Sequence, residues 1–138
     1  MIRFAEISDR DWIAGHDPHI APTELETLLA LRRVLVCEED GQRVGWLRWN
    51  LFWDNTPFLN MIFLLPGFRR RGLGRAMLEF WTSEMAAQGY TRLLTSTQSN
   101  EEAQHFYRAL GYADAGVLLL PGEAAELLFL RELNPESA

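Results

Sequence analysis

Cysteine is nearly missing: Cys37 is the single one in the chain. A disulfide framework needs pairs, so the fold does not depend on a bridge within the chain. Cys37 closes the apolar run Val34-Leu35-Val36 and reads as a small buried hydrophobe, not a nucleophile. Histidine is scarce too. His16, His19 and His105 are the only three, and none has a His or Cys partner at finger or zincin spacing, so no metal is expected. No apolar run approaches the roughly 18 residues of a membrane span. The start, Met1-Ile2-Arg3-Phe4-Ala5-Glu6, lacks the cationic-then-apolar pattern of a signal peptide, and the expected location is the cytoplasm. Internal repeats and linker-like stretches are absent as well, which excludes repeat arrays and low-complexity readings.

What remains is a globular composition. The 138 residues are 48% hydrophobic and 23% charged, and 12% are aromatic. That length suits one domain over residues 1–138, with a core large enough to need no staples. The net charge is −6, yet Arg69-Arg70-Arg71 and Arg75 cluster on this acidic chain. A local cationic patch on an acidic body points to one anionic ligand; nucleic acid and membrane surfaces are not expected partners.

Hydrophobic periodicity and punctuation predict the order β α α β β β α β α β β. Residues 2–7 read as a strand, and Ser8 and Asp11 could cap a short helix holding Trp12 and Ile13. Residues 15–22 read as a loop. Thr23 with Glu26 looks like a capping box that opens a helix with Leu25, Leu28 and Leu29 on one face. Strands 33–38 and 43–53 are joined at Asp40-Gly41, a hairpin signal. Strand 57–65 ends at Pro66-Gly67, and a helix from about Leu73 to Gln88 carries Ala76, Met77, Phe80 and Trp81 as its core stripe. Residues 91–97 read as a strand, Ser99 and Glu102 as a second capping box, and Ala103, Phe106, Tyr107 and Leu110 as a helical stripe ended by Gly111. Two strands, near 112–120 and 125–133, follow. A helical crossover between strands 57–65 and 91–97 makes those two parallel within an otherwise antiparallel sheet covered by helices, an α/β (α+β) arrangement.

Pro66-Gly67-Phe68-Arg69-Arg70-Arg71-Gly72-Leu73-Gly74 joins a strand to a helix. Glycines let backbone N–H groups approach an oxyanion, and the first helical turn adds unsatisfied N–H groups and partial positive charge. Arginines add forked donors for phosphate, so a diphosphate fits. A Walker loop would need Gly-Lys-Ser/Thr, which is missing. A dinucleotide fingerprint would need a third glycine where Met77 stands.

Arg69-Arg70-Arg71-Gly72-Leu73-Gly74 resembles the Q/R-x-x-G-x-G/A acetyl-CoA signature of the GNAT superfamily of N-acetyltransferases. Ser99-Asn100-Glu101-Glu102-Ala103-Gln104-His105-Phe106-Tyr107-Arg108-Ala109-Leu110-Gly111-Tyr112 is similar to a second motif of that family. The resemblance extends from about residue 2 to 133. It implies a mixed sheet whose central parallel strands, 57–65 and 91–97, splay to admit the pantetheine arm of acetyl-CoA. Main-chain groups of Phe63 and Leu64 would pair with that arm. Amides and side chains of Arg69, Arg70, Arg71, Gly72, Leu73, Gly74 and Arg75 would hold the pyrophosphate. Asn100 would lie near the arm and Tyr107 near the thioester sulfur, as proton donor to the departing thiolate.

Each of these residues has a plainer reading beside this one. Tyr107 could be a core tyrosine with one hydrogen bond, Asn100 could simply start a helix, and His105, one position off the apolar stripe, reads as solvent-facing. The acceptor side is less marked. An alkylammonium must lose a proton before attack, but strand 57–65 carries no acid, and Asn60 stands where relatives often have a carboxylate. Asp54, His16, His19 or a water path are the alternatives. Trp46, Arg48, Asn50 and Phe52 share one strand face, which could be core or an acceptor pocket. The resemblance thus implies acetyl transfer from acetyl-CoA to a primary amine of a small molecule or peptide, by direct attack in a ternary complex. The alternative is a non-catalytic acyl-CoA sensor of the same fold. A homodimer is left open.

Overall fold

The computed structural model describes residues 1–133, so residues 134–138 of the expected domain lie outside the described residues. In chain order the elements are β1 (Ile2–Phe4), a 3₁₀ turn (Ile7–Asp9), α1 (Arg10–His16), α2 (Pro22–Ala30), β2 (Val34–Glu39), β3 (Gln42–Phe52) and β4 (Thr56–Leu64). A second 3₁₀ turn (Pro66–Phe68) leads to α3 (Leu73–Ala87), β5 (Arg92–Gln98), α4 (Ala103–Ala109), β6 (Ala113–Leu118) and β7 (Glu126–Glu132). The strands form one sheet in the order β1-β2-β3-β4-β5-β7-β6. β1 with β2, β2 with β3, β5 with β7 and β6 with β7 are antiparallel. β4 and β5 are the parallel pair, with Phe58 opposite Leu94 and Leu59 opposite Thr95. This is the mixed, mostly antiparallel sheet that the element order predicts.

The chain gathers into two compact units, Met1–Asn50 with Asn60–Thr82, and Leu51–Leu59 with Ser83–Ala138. In the first, Ile13 of α1 and Leu25, Leu28 and Leu29 of α2 are buried with Val34, Val36 and Trp46, and Trp12, Ile20 and Met61 pack at the margin. Each such side chain contributes about 1.5–3 kcal/mol of burial. Met77, Leu78 and Trp81 are the buried part of α3 in this unit; Ala76 and Phe80, expected in that stripe, are half-buried. Phe4 meets both Trp49 and Phe80 edge-on. The β2–β3 hairpin turns on Asp40 (φ 52°) and Gly41 (φ 77°), the two left-handed residues that a type I′ turn requires. Cys37 is fully buried, and burial pushes its thiol pKa up, which fits an inert packing residue.

Three capping expectations differ. α1 runs on from the 3₁₀ turn through Asp9, which is already helical and makes no side-chain cap, so neither Ser8 nor Asp11 caps it, and Asp11 lies inside its first turn. α2 starts at Pro22, after Ala21, because proline's fixed φ and missing N–H suit the first helical position. Thr23 therefore lies inside the first turn, where its carbonyl accepts from the Thr27 hydroxyl at 3.1 Å. α4 is preceded by Glu102, with no side-chain cap. Gln104 Nε2 instead donates to the Ser99 carbonyl at 2.9 Å, so the segment 99–102 is a turn outside the helix, not a capping box.

In the second unit Leu93 of β5 and Phe129 of β7 are fully buried. Of the expected α4 stripe, only Tyr107 is buried; Ala103, Phe106 and Leu110 are half-buried. Gly111 (φ 91°) ends the helix as expected.

Candidate active site

The strand-turn-helix segment lies in the first unit. Leu65 N–H donates to Val44 O at 2.8 Å as β4 ends, and Phe68 N–H donates to Leu65 O at 2.9 Å to close the 3₁₀ turn. Arg70 (φ 64°) and Gly72 (φ 80°) are left-handed, a backbone alternation that forms anion-binding concavities. Ala76 N–H donates to Gly72 O at 3.0 Å, which starts α3. The amides of Leu73, Gly74 and Arg75 precede that first helical bond and have no intrahelical acceptor. A Cβ on Gly72 would meet nothing within 4 Å. Glycine is therefore demanded by the backbone conformation, and the space over the turn is open.

The arginines around this turn are exposed, but they are not idle. Arg69 Nε donates to Leu64 O at 3.0 Å, and its guanidinium lies 4.9 Å from the Phe63 ring centre. Arg71 lies over Phe68 at 5.3 Å. Arg75 pairs with Glu79 at 2.9 Å, one helical turn on. Phe63 and Leu64 are set by a close approach that the sequence reading missed. A Cβ on Gly45 would lie 2.6 Å from both Phe63 O and Leu64 Cδ2, so only glycine fits at that point of β3. A glycine inside a strand pattern was the available signal.

In the second unit Tyr107 is buried on α4, with ring centres of Tyr112 and Phe129 at 5.6 Å and 6.0 Å. Burial pushes its pKa up, against the opposing hydrogen bond of Thr95. Thr95 Oγ1 in turn donates to Leu59 O at 3.1 Å. A tyrosine in this setting keeps its proton at neutral pH and can only give it away. Asn100 is exposed, in the turn after β5.

The acetyltransferase (GNAT) family model matches residues 1–112, most of the chain. The chain belongs to the GNAT family. Among solved structures it is similar to a GNAT-family acetyltransferase from Bacillus cereus, with 24% identity, a TM-score of 0.78 and 97% of both chains covered. It is also similar to Ard1 from Thermoplasma volcanium, at 16% identity, a TM-score of 0.84 and 97% of both chains. The ribosomal-protein-S18-alanine N-acetyltransferase from Escherichia coli has 20% identity and a TM-score of 0.80, with 97% of this chain and 94% of that one covered. These likenesses carry the fold. No curated protein matches. The GNAT chain is an acyltransferase, and the reaction of its family is acetyl transfer from acetyl-CoA.

The remaining candidate residues of this GNAT chain are spread over both units. Asp54 (φ 63°) and Trp53 (φ 56°) form the exposed two-residue turn between β3 and β4, closed by Asn55 N–H donating to Phe52 O at 3.2 Å. Asn60 is exposed on β4. His16 stacks on Trp12, ring centres 4.4 Å apart, with Nδ1 2.8 Å from Trp12 O. His105 is exposed, as expected. The strand face of Trp46, Arg48, Asn50 and Phe52 divides: Trp46 and Arg48 are buried, Asn50 and Phe52 exposed.

Arg48 is buried because Asp17 is there. Arg48 Nε and Trp46 Nε1 donate to Asp17 Oδ2 at 2.8 Å and 3.0 Å, and the His19 amide donates to Oδ1 at 3.1 Å. Burial pushes the Asp17 carboxyl up, but Arg48, the His19 amide and Trp46 together hold it below its usual value. Asp9 is a second buried carboxylate, bonded by Arg3 at 2.8 Å and Arg43 at 2.7 Å. Arg3 and the Glu6 amide hold its pKa far below the usual range. Neither anchor was visible in sequence, where Asp9 and Asp17 look like ordinary loop acids.

Proposed function

We propose that this GNAT chain transfers the acetyl group of acetyl-CoA to a primary amine of a small molecule or peptide, by direct attack in a ternary complex. The observation that carries this reading is the Pro66–Arg75 turn, with its left-handed residues at 70 and 72, its open space and its free first-turn amides. Amides from Arg69 to Arg75 hold the pyrophosphate, with Arg70 and Arg71 as the nearby cations. The main chain of Phe63 and Leu64 binds the pantetheine arm, and Asn100 contacts it. Acetyl-CoA supplies an activated thioester, so no covalent enzyme intermediate is needed. Tyr107 gives its proton to the leaving thiolate. The amine must lose its own proton; Asn60 is an amide and cannot accept one, so Asp54 or a water path does so. A CoA-bound neighbour, N-acetylglutamate synthase from Neisseria gonorrhoeae, supports the donor.

The test is CoA binding to Gly72→Asp. The wild-type chain should gain thermal stability on adding CoA, and the variant should lose affinity by about 10–100-fold, the scale of one or two charged hydrogen bonds. Gly72→Ala controls for the strain of a left-handed non-glycine residue, about 1–2 kcal/mol. Unchanged affinity in a folded Gly72→Asp protein removes the phosphate assignment. The chain contains no lysine, so acetyl-CoA consumed with an amine panel is not lost to its own side-chain amines.

A further inference from the structure

His16 ends α1, and its ring is held in place although it is exposed. Nδ1 lies 2.8 Å from Trp12 O, one helical turn back. A carbonyl oxygen only accepts, so Nδ1 carries the hydrogen of the neutral ring. The lone pair then sits on Nε2, which has no hydrogen-bond partner among the described residues. The ring stacks on Trp12 at 4.4 Å and stands 6.2 Å from the Trp46 ring. The next residue, Asp17, ties the end of the helix to β3 through Arg48 and Trp46. These contacts fix one tautomer and one orientation.

Trp46 also supports Phe63 of β4, with ring centres 5.0 Å apart. His16 and Phe63 therefore stand on the same buried indole, and both are open to solvent. Met61, on the same face of β4 as Phe63, packs at the margin of the α1–α2 core. Asn60 is on the other face. Asp54 precedes the start of β4, whereas Phe63 stands next to its end. His19 engages only its main-chain amide, on Asp17, and among the described residues nothing orients its ring. His16 is thus the one candidate base with an oriented, open lone pair on the Phe63 side.

We propose that His16 Nε2 takes the proton that the substrate amine must lose, and that the water path of the proposed reaction ends there. This rests on that reading, in which Phe63 and Leu64 bind the arm of acetyl-CoA. The ammonium gives one proton through water to Nε2, and the ring becomes imidazolium. The neutral amine attacks the thioester carbon; a C–N bond forms and the C–S bond breaks. The thiolate takes the Tyr107 proton, and the second amine proton restores Tyr107. The exposed imidazolium then returns its proton to solvent, so ammonium and thioester give amide, thiol and one proton. Around the ring, Asp17 is paired with Arg48 of β3, and Asp11 and Glu26 with Arg10. Glu24 of α2, His19 and Arg69 are the other charged or titratable groups of the neighbouring segments, and β4 carries none.

The test is the pH dependence of acetyl-CoA turnover with a primary amine from the panel, beside nitrogen NMR of the imidazole, on the full chain. His16→Gln keeps an exposed polar side chain, so CoA affinity and melting should match wild type. At pH 7 its kcat/KM for the amine should fall about 10²-fold. That deficit should close as pH rises toward the pKa of an alkylamine, about 10, where the amine is already neutral. In wild type the neutral ring should be protonated at Nδ1 and bare at Nε2. An undiminished rate in His16→Gln overturns the proposal. So does a deficit equal at every pH, which marks a structural role, or a neutral ring protonated at Nε2. A wild-type chain that binds CoA but acetylates no amine of the panel overturns the proposed function itself, and this inference with it.

Discussion

The two units bury polar groups of different kinds. The first buries carboxylates, Asp9 and Asp17, and meets each with arginine. The second buries hydroxyls: Thr56, Thr95 and Thr97, with Tyr107 and Tyr112 among its aromatic rings. Buried charge must be fully compensated or it is expelled, so the first unit has dense ion-pair anchors. A buried hydroxyl is cheaper, and it stays neutral over a wide pH range. The first unit is therefore sensitive to acid, while the buried Tyr107 hydroxyl of the second keeps its proton at neutral pH. Substitutions that remove one partner from each arrangement should act differently in size, pH dependence and sign.

Removing Asp17 should have the largest effect. Asp17→Ala leaves Arg48 buried without its counter-charge and frees Trp46 Nε1, so stability should fall by about 3–5 kcal/mol. The folded-state pKa of Asp17 is depressed, so its contribution is complete above the unfolded value of about 3.9 and drains away as pH falls through the folded one. Urea unfolding from pH 7 down to pH 3 checks both points: wild type should lose stability on the acid side, and Asp17→Asn should start lower and fall less. Asp9 has the same sign, so some acid sensitivity should persist in the variant. An acid limb identical to wild type would remove Asp17 as an anchor.

These anchors show where the sequence stops being informative. Local signals were legible. Asp40-Gly41 specifies its own turn, Pro66-Gly67 ends a strand, and Gly72 and Gly111 sit where left-handed backbone is needed. The order of elements and the glycine-arginine turn follow from such signals. Asp17 and Arg48 are 31 residues apart, and nothing near either one reports that the other is its partner. Gly45 matters because of Phe63 and Leu64, again a distant strand. The Thr23–Glu26 capping box failed for the opposite reason: the local pattern was present, but Pro22 starts the helix two residues earlier than that box would. Tyr107 was legible as an inward residue, but Thr95, its partner, was not.

Tyr107→Phe sharpens the comparison through rate. It deletes one hydroxyl, keeps the ring against Tyr112 and Phe129, and leaves Thr95 its bond to Leu59 O. Stability should drop by only about 1 kcal/mol. The chemical step should slow by about 10²-fold, the low end for a general acid, because a thiol of pKa about 8.5 is a tolerable leaving group unaided. The loss should lie in kcat at saturating acetyl-CoA, with its KM little changed. Because the pKa of Tyr107 is raised, the wild-type kcat profile should show no decline from this group before about pH 10. Unchanged kcat in the Phe variant, with chemistry rate-limiting, would return Tyr107 to the core.

The smallest effect should come from the neighbouring ring, and with the opposite sign. Tyr112 is buried, and its hydroxyl has no hydrogen-bond partner among the described residues. Burial pushes its pKa far up, and Tyr107 adds to that. An unpaired buried hydroxyl costs about 1–3 kcal/mol of desolvation that nothing returns. Tyr112→Phe removes that cost and keeps the edge-on ring contact with Tyr107 at 5.6 Å. The cavity left by one oxygen offsets part of the gain, so stability should rise by up to about 1 kcal/mol, or roughly 4 °C in Tm. Turnover should stay the same, because the proposed proton donor is Tyr107. Calorimetry and kcat on this variant, beside Tyr107→Phe, give a paired result: one tyrosine whose hydroxyl supports rate at little cost in stability, and one whose hydroxyl supports neither. A Tyr112→Phe protein that melts lower would mean that its hydroxyl is satisfied in solution, by a trapped water or by a shift of Arg131, and the contrast between compensated carboxylates and an uncompensated hydroxyl would have to be given up.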